Sequence, residues 1–152
     1  MQLYLEDLHV GQRFGSGKYQ MTAERIKAFA AEFDPQPFHL DEAAAAGTIF
    51  RGLAASGWHT AAAAMRLLVE ALPIANGIIG FGGEIAWPNP TRPGDILRSE
   101  SEIVEIRPSR SKPNQGVVSV RTVVTNQRGE EVQILTAKLL VFKRAATSGD
   151  SL

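Results

Sequence analysis

The sequence contains no cysteine among its 152 residues. Thiol nucleophiles, disulfide bonds and thiolate metal sites are therefore excluded as classes. An excess of charge of one sign is also missing, because 16 Lys and Arg residues balance 16 Asp and Glu residues. This balance favours neither nucleic acid nor an anionic membrane surface as a partner. No apolar run predicts a signal peptide or a membrane span, so we expect a cytoplasmic protein.

The most informative stretch begins with a predicted helix whose apolar residues recur at helical spacing up to Phe33. Pro35 stops this helix, so Asp34 is predicted to lie at its C-terminal end. The negative end of the helix dipole disfavours a carboxylate, and we therefore expect Asp34 to have a raised pKa and to be a better base. His39 follows five residues later, after a stiff Pro-Gln-Pro turn, and histidine is the side chain that titrates near neutrality.

Two further helix starts follow this pair. Asp41 is predicted to cap a short alanine-rich helix that Gly47 ends, which is a more ordinary use of this residue than catalysis. Ser56 is a suitable N-cap for a long apolar helix that begins at Gly57. The N–H of Gly57 would lie at the positive end of that helix and would be placed to stabilise an oxyanion, although a glycine chosen for packing fits the pattern equally well.

Asp34 and His39 are each open to a plainer interpretation. Alone, Asp34 is typical of a residue that caps the following turn, and His39 is typical of a packed loop histidine. Their joint spacing before a Ser-Gly helix start favours a proton-transfer pair instead.

This combination resembles the MaoC-like dehydratase family, which includes the (R)-specific enoyl-CoA hydratases. The resemblance rests on a helix that ends in Asp, a proline-bearing turn, a His five residues later and a glycine that opens a central helix, here Asp34, Pro35, His39 and Gly57. It extends over nearly the whole chain. The family usually has Asn where Gln36 stands and His where Ser56 stands.

The resemblance implies an α+β hot-dog fold, in which an antiparallel β-sheet wraps around a central long α-helix. It also implies reversible syn addition of water to a trans-2-enoyl thioester, giving an (R)-3-hydroxyacyl thioester. Asp34 and His39 would hold the water, and Gly57 would polarise the thioester carbonyl. No cofactor is implied apart from coenzyme A in the substrate, which we favour over acyl carrier protein. The residues expected to contact the substrate around this centre are Gln36, Phe38, Ser56 and Trp58.

The remaining pattern supports an α+β fold independently of the resemblance. The helix from Gly57 to about Leu72 is apolar on almost every face and must be covered on several sides. An early strand is predicted over residues 14–22, and four later strands over residues 78–87, 96–106, 117–125 and 132–142. We expect a single domain over residues 1–152, with a frayed tail over residues 144–152.

Two groups of residues suggest additional sites. Arg110 and Lys112 lie in a polar segment between two predicted strands. The simpler interpretation is that they are solvated loop residues, and the alternative is that they bind the phosphates of coenzyme A. His59 suggests a metal site together with nearby acidic residues, but no HxH or HxxxH spacing supports it, so no metal site is predicted.

Two other functions remain open at this level. The fold also supports acyl-CoA thioesterases, for which the central helix offers only Thr60 and Glu70. The second alternative function is non-catalytic binding of acyl thioesters. It stays open because Gln36 and Ser56 depart from the family pattern. An uncovered sheet edge further predicts a homodimer with the site near its interface.

Overall fold

The computed structural model describes residues 1–145. Within these residues the chain forms four α-helices and six β-strands after a short 3₁₀ turn at Leu5–Asp7. The helices are α1 (Ala23–Phe33), α2 (Pro37–Leu40), α3 (Glu42–Ala46) and α4 (Gly57–Ala71). The strands are β1 (Arg13–Gly15), β2 (Tyr19–Gln20), β3 (Ile79–Ala86), β4 (Ile96–Pro108), β5 (Gln115–Thr125) and β6 (Glu131–Phe142).

The strands form one antiparallel sheet in the order β1-β4-β5-β6-β3, and β2 extends it by pairing with β4. Helix α4 packs on the inner face of this sheet against β4 and β6. This arrangement confirms the predicted α+β hot-dog fold. The four long strands match their predicted ranges to within two residues at each end.

The side chains of α4 explain why this helix occupies the centre. Ala63, Ala64, Leu67 and Leu68 are buried on the sheet side, and the two alanines allow the helix to approach the sheet closely. Burial of each leucine contributes about 2 kcal/mol relative to an exposed side chain. Because Ser56 caps α4 and Asp34 follows the last residue of α1, packing of these two helices fixes the surroundings of both residues.

One expectation about the strands needs correction, and the frayed tail over residues 144–152 stays a prediction. The strand predicted over residues 14–22 is two short strands, because glycines at 15 and 17 weaken pairing between them. The predicted tail is anchored where it begins. Arg144 donates from its backbone N–H to Glu6 and from its guanidinium to Asp7 at 2.8 Å, and it covers the ring of Tyr4. Residues 146–152 of that tail lie outside the described residues.

Candidate active site

The turn after α1 brings the two predicted proton-transfer groups together. Asp34 leaves the helical conformation, with φ −151° and ψ 67°, because Pro35 follows it. The expected stiff turn is a single helical turn, α2, which begins with Pro37 at its first position. His39 lies in this turn, and its Nε2 is 3.3 Å from Oδ2 of Asp34.

The hydrogen bonds of the imidazole fix its orientation. Nδ1 of His39 is 2.6 Å from the carbonyl oxygen of Ala54. A carbonyl only accepts, so Nδ1 must donate, and Nε2 is left facing the carboxylate of Asp34. The rings of Phe38 and His39 pack edge to face, with their centroids 4.6 Å apart, and this contact helps to hold the imidazole in place. Both members of the pair are largely buried, since the exposed fractions of the His39 and Asp34 side chains are 7% and 17%.

The surroundings of Asp34 overturn the expected direction of its pKa shift. Burial raises the pKa of Asp34, but hydrogen bonds from Ser56 and Gln36 and the charge of His39 outweigh burial, and the pKa lies below its usual value. Nε2 of Gln36 donates to Oδ1 of Asp34 at 2.5 Å. The two residues that depart from the family pattern therefore both favour the ionised form of this carboxylate.

The start of α4 presents one free backbone donor. Ser56 is the N-cap, and its Oγ accepts from the N–H of Trp58 at 3.2 Å. Gly57 is the first helical residue, so its N–H has no acceptor within the helix. No other atom of residues 1–145 accepts from it either. A ligand oxygen at the positive end of α4 would therefore find this donor unoccupied.

A cavity of about 280 Å³ adjoins both His39 and Gly57. Its walls come from α2, the loop before α4, the start of α4, the segment after β3, and β6. The lining residues are His39, Phe50, Ala55, Gly57, Thr60, Trp87, Asn89, Pro90, Thr91 and Val132. This cavity has the concave, mostly apolar character of a small-molecule site.

The structure does not bring every predicted site residue to this cavity. Trp58 points outward, is 62% exposed and touches Trp87 edge-on. Phe38 contacts Phe50 and His39 but does not line the cavity itself.

Arg110 and Lys112 lie far from the cavity within one chain. They occupy the loop between β4 and β5, whose base at Gly116 lies against Leu5. Leu5 and Leu72 belong to the same cluster of buried apolar side chains, and Leu72 follows the last residue of α4. Since α4 has 15 residues, this end is about 22 Å from Gly57.

Several residues that shape the site were missed by sequence reasoning. Trp87 was predicted only as the end of a strand, and Asn89 was not singled out. The Thr60 hydroxyl donates to Oγ1 of Thr91 at 3.0 Å. The two residues are 31 positions apart in sequence, and no periodic pattern indicates that they are in contact. Arg92 donates to the carbonyl oxygens of Gly52 at 3.0 Å and Leu53 at 3.2 Å, and also to that of Phe50, so it holds the loop before α4.

The third histidine has a packing role in this chain. His59 stacks on Phe29 with ring centroids 4.6 Å apart and planes 6° apart. Burial and the nearby charge of Arg25 lower the pKa of His59. Within residues 1–145, no group of three or more His, Asp or Glu side chains is arranged to hold a metal ion. None of the helices in this part of the chain is long and apolar enough to cross a membrane.

Comparison with known proteins places this site in a family. The family model described as MaoC like domain matches residues 8–127. This chain belongs to the MaoC-like dehydratase family.

Two solved structures and one curated relative illustrate the similarity. The MaoC-like dehydratase from Rhodospirillum rubrum is 59% identical, with a TM-score of 0.93 over 95% of this chain and 99% of that one. The (R)-hydratase PhaJ1 from Pseudomonas aeruginosa is 28% identical, with a TM-score of 0.75 over 94% of this chain and 88% of that one. The 3-hydroxybutyryl-CoA dehydratase from Methylorubrum extorquens is 31% identical over 140 residues, which are 91% of this chain and 83% of that protein. Hydratases and dehydratases are thus among the relatives of this MaoC-like chain.

Proposed function

We propose that this MaoC-like protein catalyses the reversible syn hydration of a trans-2-enoyl-CoA to an (R)-3-hydroxyacyl-CoA. The observation that carries the proposal is the Asp34–His39 pair, whose Nε2–Oδ2 distance is 3.3 Å. His39 lines a cavity that Gly57 also lines, and Asp34 lies behind His39 rather than in the cavity wall. A carboxylate and an imidazole at this distance can share one water molecule.

The chemistry needs two proton transfers and one stabilised oxygen. As the water oxygen bonds to the β carbon, the water loses a proton to the Asp34–His39 pair, and the α carbon gains a proton from the pair. The carbon–carbon double bond becomes single, and the thioester oxygen carries negative charge in the transition state. The N–H of Gly57 donates to that oxygen. The reaction is redox-neutral, so we propose that it uses no cofactor apart from coenzyme A in the substrate.

The two departures from the family pattern support catalysis rather than simple binding. A non-catalytic binder would have no need to keep a buried carboxylate ionised beside an imidazole. Here Gln36 binds Asp34, and both Gln36 and Ser56 lower the pKa of Asp34. They therefore favour the charged form of Asp34 beside His39.

Thioester hydrolysis has weaker support from the same cavity. Glu70 is exposed and pairs with Arg66 at 3.3 Å, away from the lining residues. Thr60 does line the cavity, but its hydroxyl already donates to Thr91. Neither side chain is therefore arranged as a nucleophile beside a base.

The decisive assay follows the loss of enoyl absorbance when the protein is mixed with crotonyl-CoA, with chiral analysis of the 3-hydroxybutyrate released from the product. We expect the (R) product, and we expect Asp34→Asn and His39→Gln each to lower kcat/KM by about 10²- to 10⁴-fold. Asp41→Asn is the matched control, because Asp41 caps α3 and Asn is an equally good cap. Undiminished turnover by Asp34→Asn would contradict the site assignment, and release of free thiol would indicate hydrolysis instead.

We also propose that the protein is a homodimer formed through the free edge of β3. This strand ends the sheet, and its outer edge has no partner within residues 1–145. Exposed apolar side chains also occur on β3 and on α4, namely Trp58, Met65, Val69, Ile79 and Phe81. Antiparallel pairing of two β3 edges is self-complementary, and we propose that the interface covers these side chains in both subunits.

Light scattering at micromolar concentration should give the mass of a dimer. Phe81→Lys should convert it to a monomer, because the lysines of the two subunits would be brought into an apolar contact. A wild-type monomer with full activity would refute this interface.

A further inference from the structure

We propose that Trp87 sets the length of the acyl group, so that the cavity accepts short, uncharged acyl chains. This inference rests on the proposed function, because it takes the cavity beside His39 and Gly57 as the acyl site. It concerns only which acyl groups bind. It is therefore testable by binding, without turnover.

Trp87 forms a wall that is fixed from two sides. Its ring lies so close to Gly57 that a Cβ added there would be 2.8 to 3.0 Å from three ring atoms. Its indole Nε1 donates to Oε1 of Gln133 at 3.0 Å, and Gln133 is 1% exposed. The edge of Trp58 packs against the same ring. Trp87 is consequently held in place beside the oxyanion donor.

The volume of this cavity, part of which is open to solvent, gives the length of acyl chain that it can enclose. A water molecule takes about 30 Å³ in the liquid, and a methylene group is of similar size, so a 280 Å³ cavity holds roughly nine such groups. The reacting water and the sulfur, oxygen and carbon of the thioester use about four of them. About five further carbons remain, so the cavity encloses an acyl chain of roughly six carbons.

Apart from His39 and the N–H of Gly57, the polar side chains of the walls that carry hydroxyl or amide groups are already bonded to one another or to the backbone. Thr60 donates to Thr91, and the amide of Asn89 donates to the carbonyl oxygen of Glu131 at 2.9 Å. No Lys or Arg of the described residues lines the cavity. The neighbouring guanidinium of Arg92 is directed to backbone carbonyls of the loop before α4. A free carboxylate at the far end of a dicarboxylic acyl group would therefore have no cationic partner.

The test compares binding of butyryl-CoA, octanoyl-CoA and free coenzyme A by titration calorimetry. These saturated thioesters cannot be hydrated, so binding is separated from catalysis. For the wild-type protein we expect octanoyl-CoA to bind at least about tenfold more weakly than butyryl-CoA. Trp87→Ala should reduce this difference to less than about threefold. Trp87→Phe, which keeps an aromatic wall and protects the fold, should give an intermediate value.

Phe14→Leu is the control variant, because Phe14 lies on β1 and packs at the opposite end of the core. It should keep the wild-type preference. Three results would overturn the inference: equal binding of both chains by the wild-type protein, an unchanged preference in folded Trp87→Ala and Trp87→Phe, or no binding of either thioester. A preference for butyryl-CoA without any hydration of crotonyl-CoA would leave the inference standing and would refute the proposed function.

Discussion

Replacement of Gly57 by alanine isolates the contact between the start of α4 and Trp87. The backbone N–H that we assign to the oxyanion is retained, and only a methyl group is added. The three atoms nearest to that methyl carbon all belong to the Trp87 ring, at 2.8, 2.9 and 3.0 Å. Ordinary van der Waals contact begins at 3.4 Å, so the ring or the helix start must move by about half an ångström.

Such a shift has consequences for both stability and rate. Overpacking of this kind costs about 1 to 3 kcal/mol, and about 1 kcal/mol is added if the bond from Trp87 to Gln133 breaks. For a chain of this size the melting temperature should fall by about 2 to 4 °C for each kcal/mol. Displacement of the cavity wall should lower kcat/KM for crotonyl-CoA by about ten- to one-hundredfold, although the N–H donor is intact.

The matched control for this change is Gly47→Ala. Gly47 ends α3 with φ −86°, and a Cβ added there meets no atom within 4 Å. This variant should melt at or slightly above the wild-type temperature. A double-mutant cycle with Trp87→Leu then tests the cause, because removal of the indole should reduce the stability cost of Gly57→Ala to within about 0.5 kcal/mol of zero. An equal cost in both backgrounds would refute this explanation.

Two further predictions concern stability around the site. Arg92→Lys keeps the charge but cannot bridge several carbonyl groups, so it should destabilise the protein by about 2 to 4 kcal/mol and lower activity, measured by urea unfolding and crotonyl-CoA hydration. His59 has a lowered pKa in the folded state, so the unfolded chain binds more protons, and its contribution to stability is lost as pH falls below about 6.5. His59→Gln should therefore flatten the decline in unfolding free energy between pH 7 and pH 5. A parallel decline in the variant and the wild type would exclude that role.

Local signals in the sequence were sufficient for most of the fold. Apolar periodicity located α4 and the four long strands, and Pro35 located the end of α1. The wrapping of the sheet around α4 came from the family resemblance, because periodicity does not specify which faces meet. The short β2 was merged with β1, since both lie in a segment with similar alternation and two glycines.

The site was less predictable, because its properties depend on residues distant in sequence. The spacing of Asp34 and His39 indicated that they lie close together, as the structure shows. The direction of the Asp34 pKa shift could not be read from the helix end alone. It depends on Gln36 and on Ser56, which lies 22 positions later on a helix that contacts α1. The role of Trp87 as a cavity wall likewise depends on Gly57 and Gln133.

The lowered pKa of Asp34 leads to a prediction about pH dependence. An ionised carboxylate with a low pKa is a weak base, so we expect Asp34 to act as an anion and the imidazole of His39 to carry the proton. Activity should then decrease at low pH where Asp34 becomes protonated. Removal of a hydrogen bond that lowers its pKa must raise that pKa, because burial then has more weight. The acidic limb of the kcat/KM profile should therefore move to higher pH in Ser56→Ala.

Gln36→Ala separates this electrostatic effect from loss of the helix cap. Gln36 also binds the carboxylate, but its side chain caps no helix, whereas Ser56 caps α4. Both variants should therefore move the acidic limb in the same direction, and both should lose the stability that the lowered Asp34 pKa contributes. Ser56→Ala should lose about 1 kcal/mol more, because it also removes the cap of α4. If the limb moved only in Ser56→Ala, the shift would report damage to α4 rather than the charge of Asp34. If neither variant moved it, Asp34 would not be the group that titrates, and the division of roles between carboxylate and imidazole would be wrong.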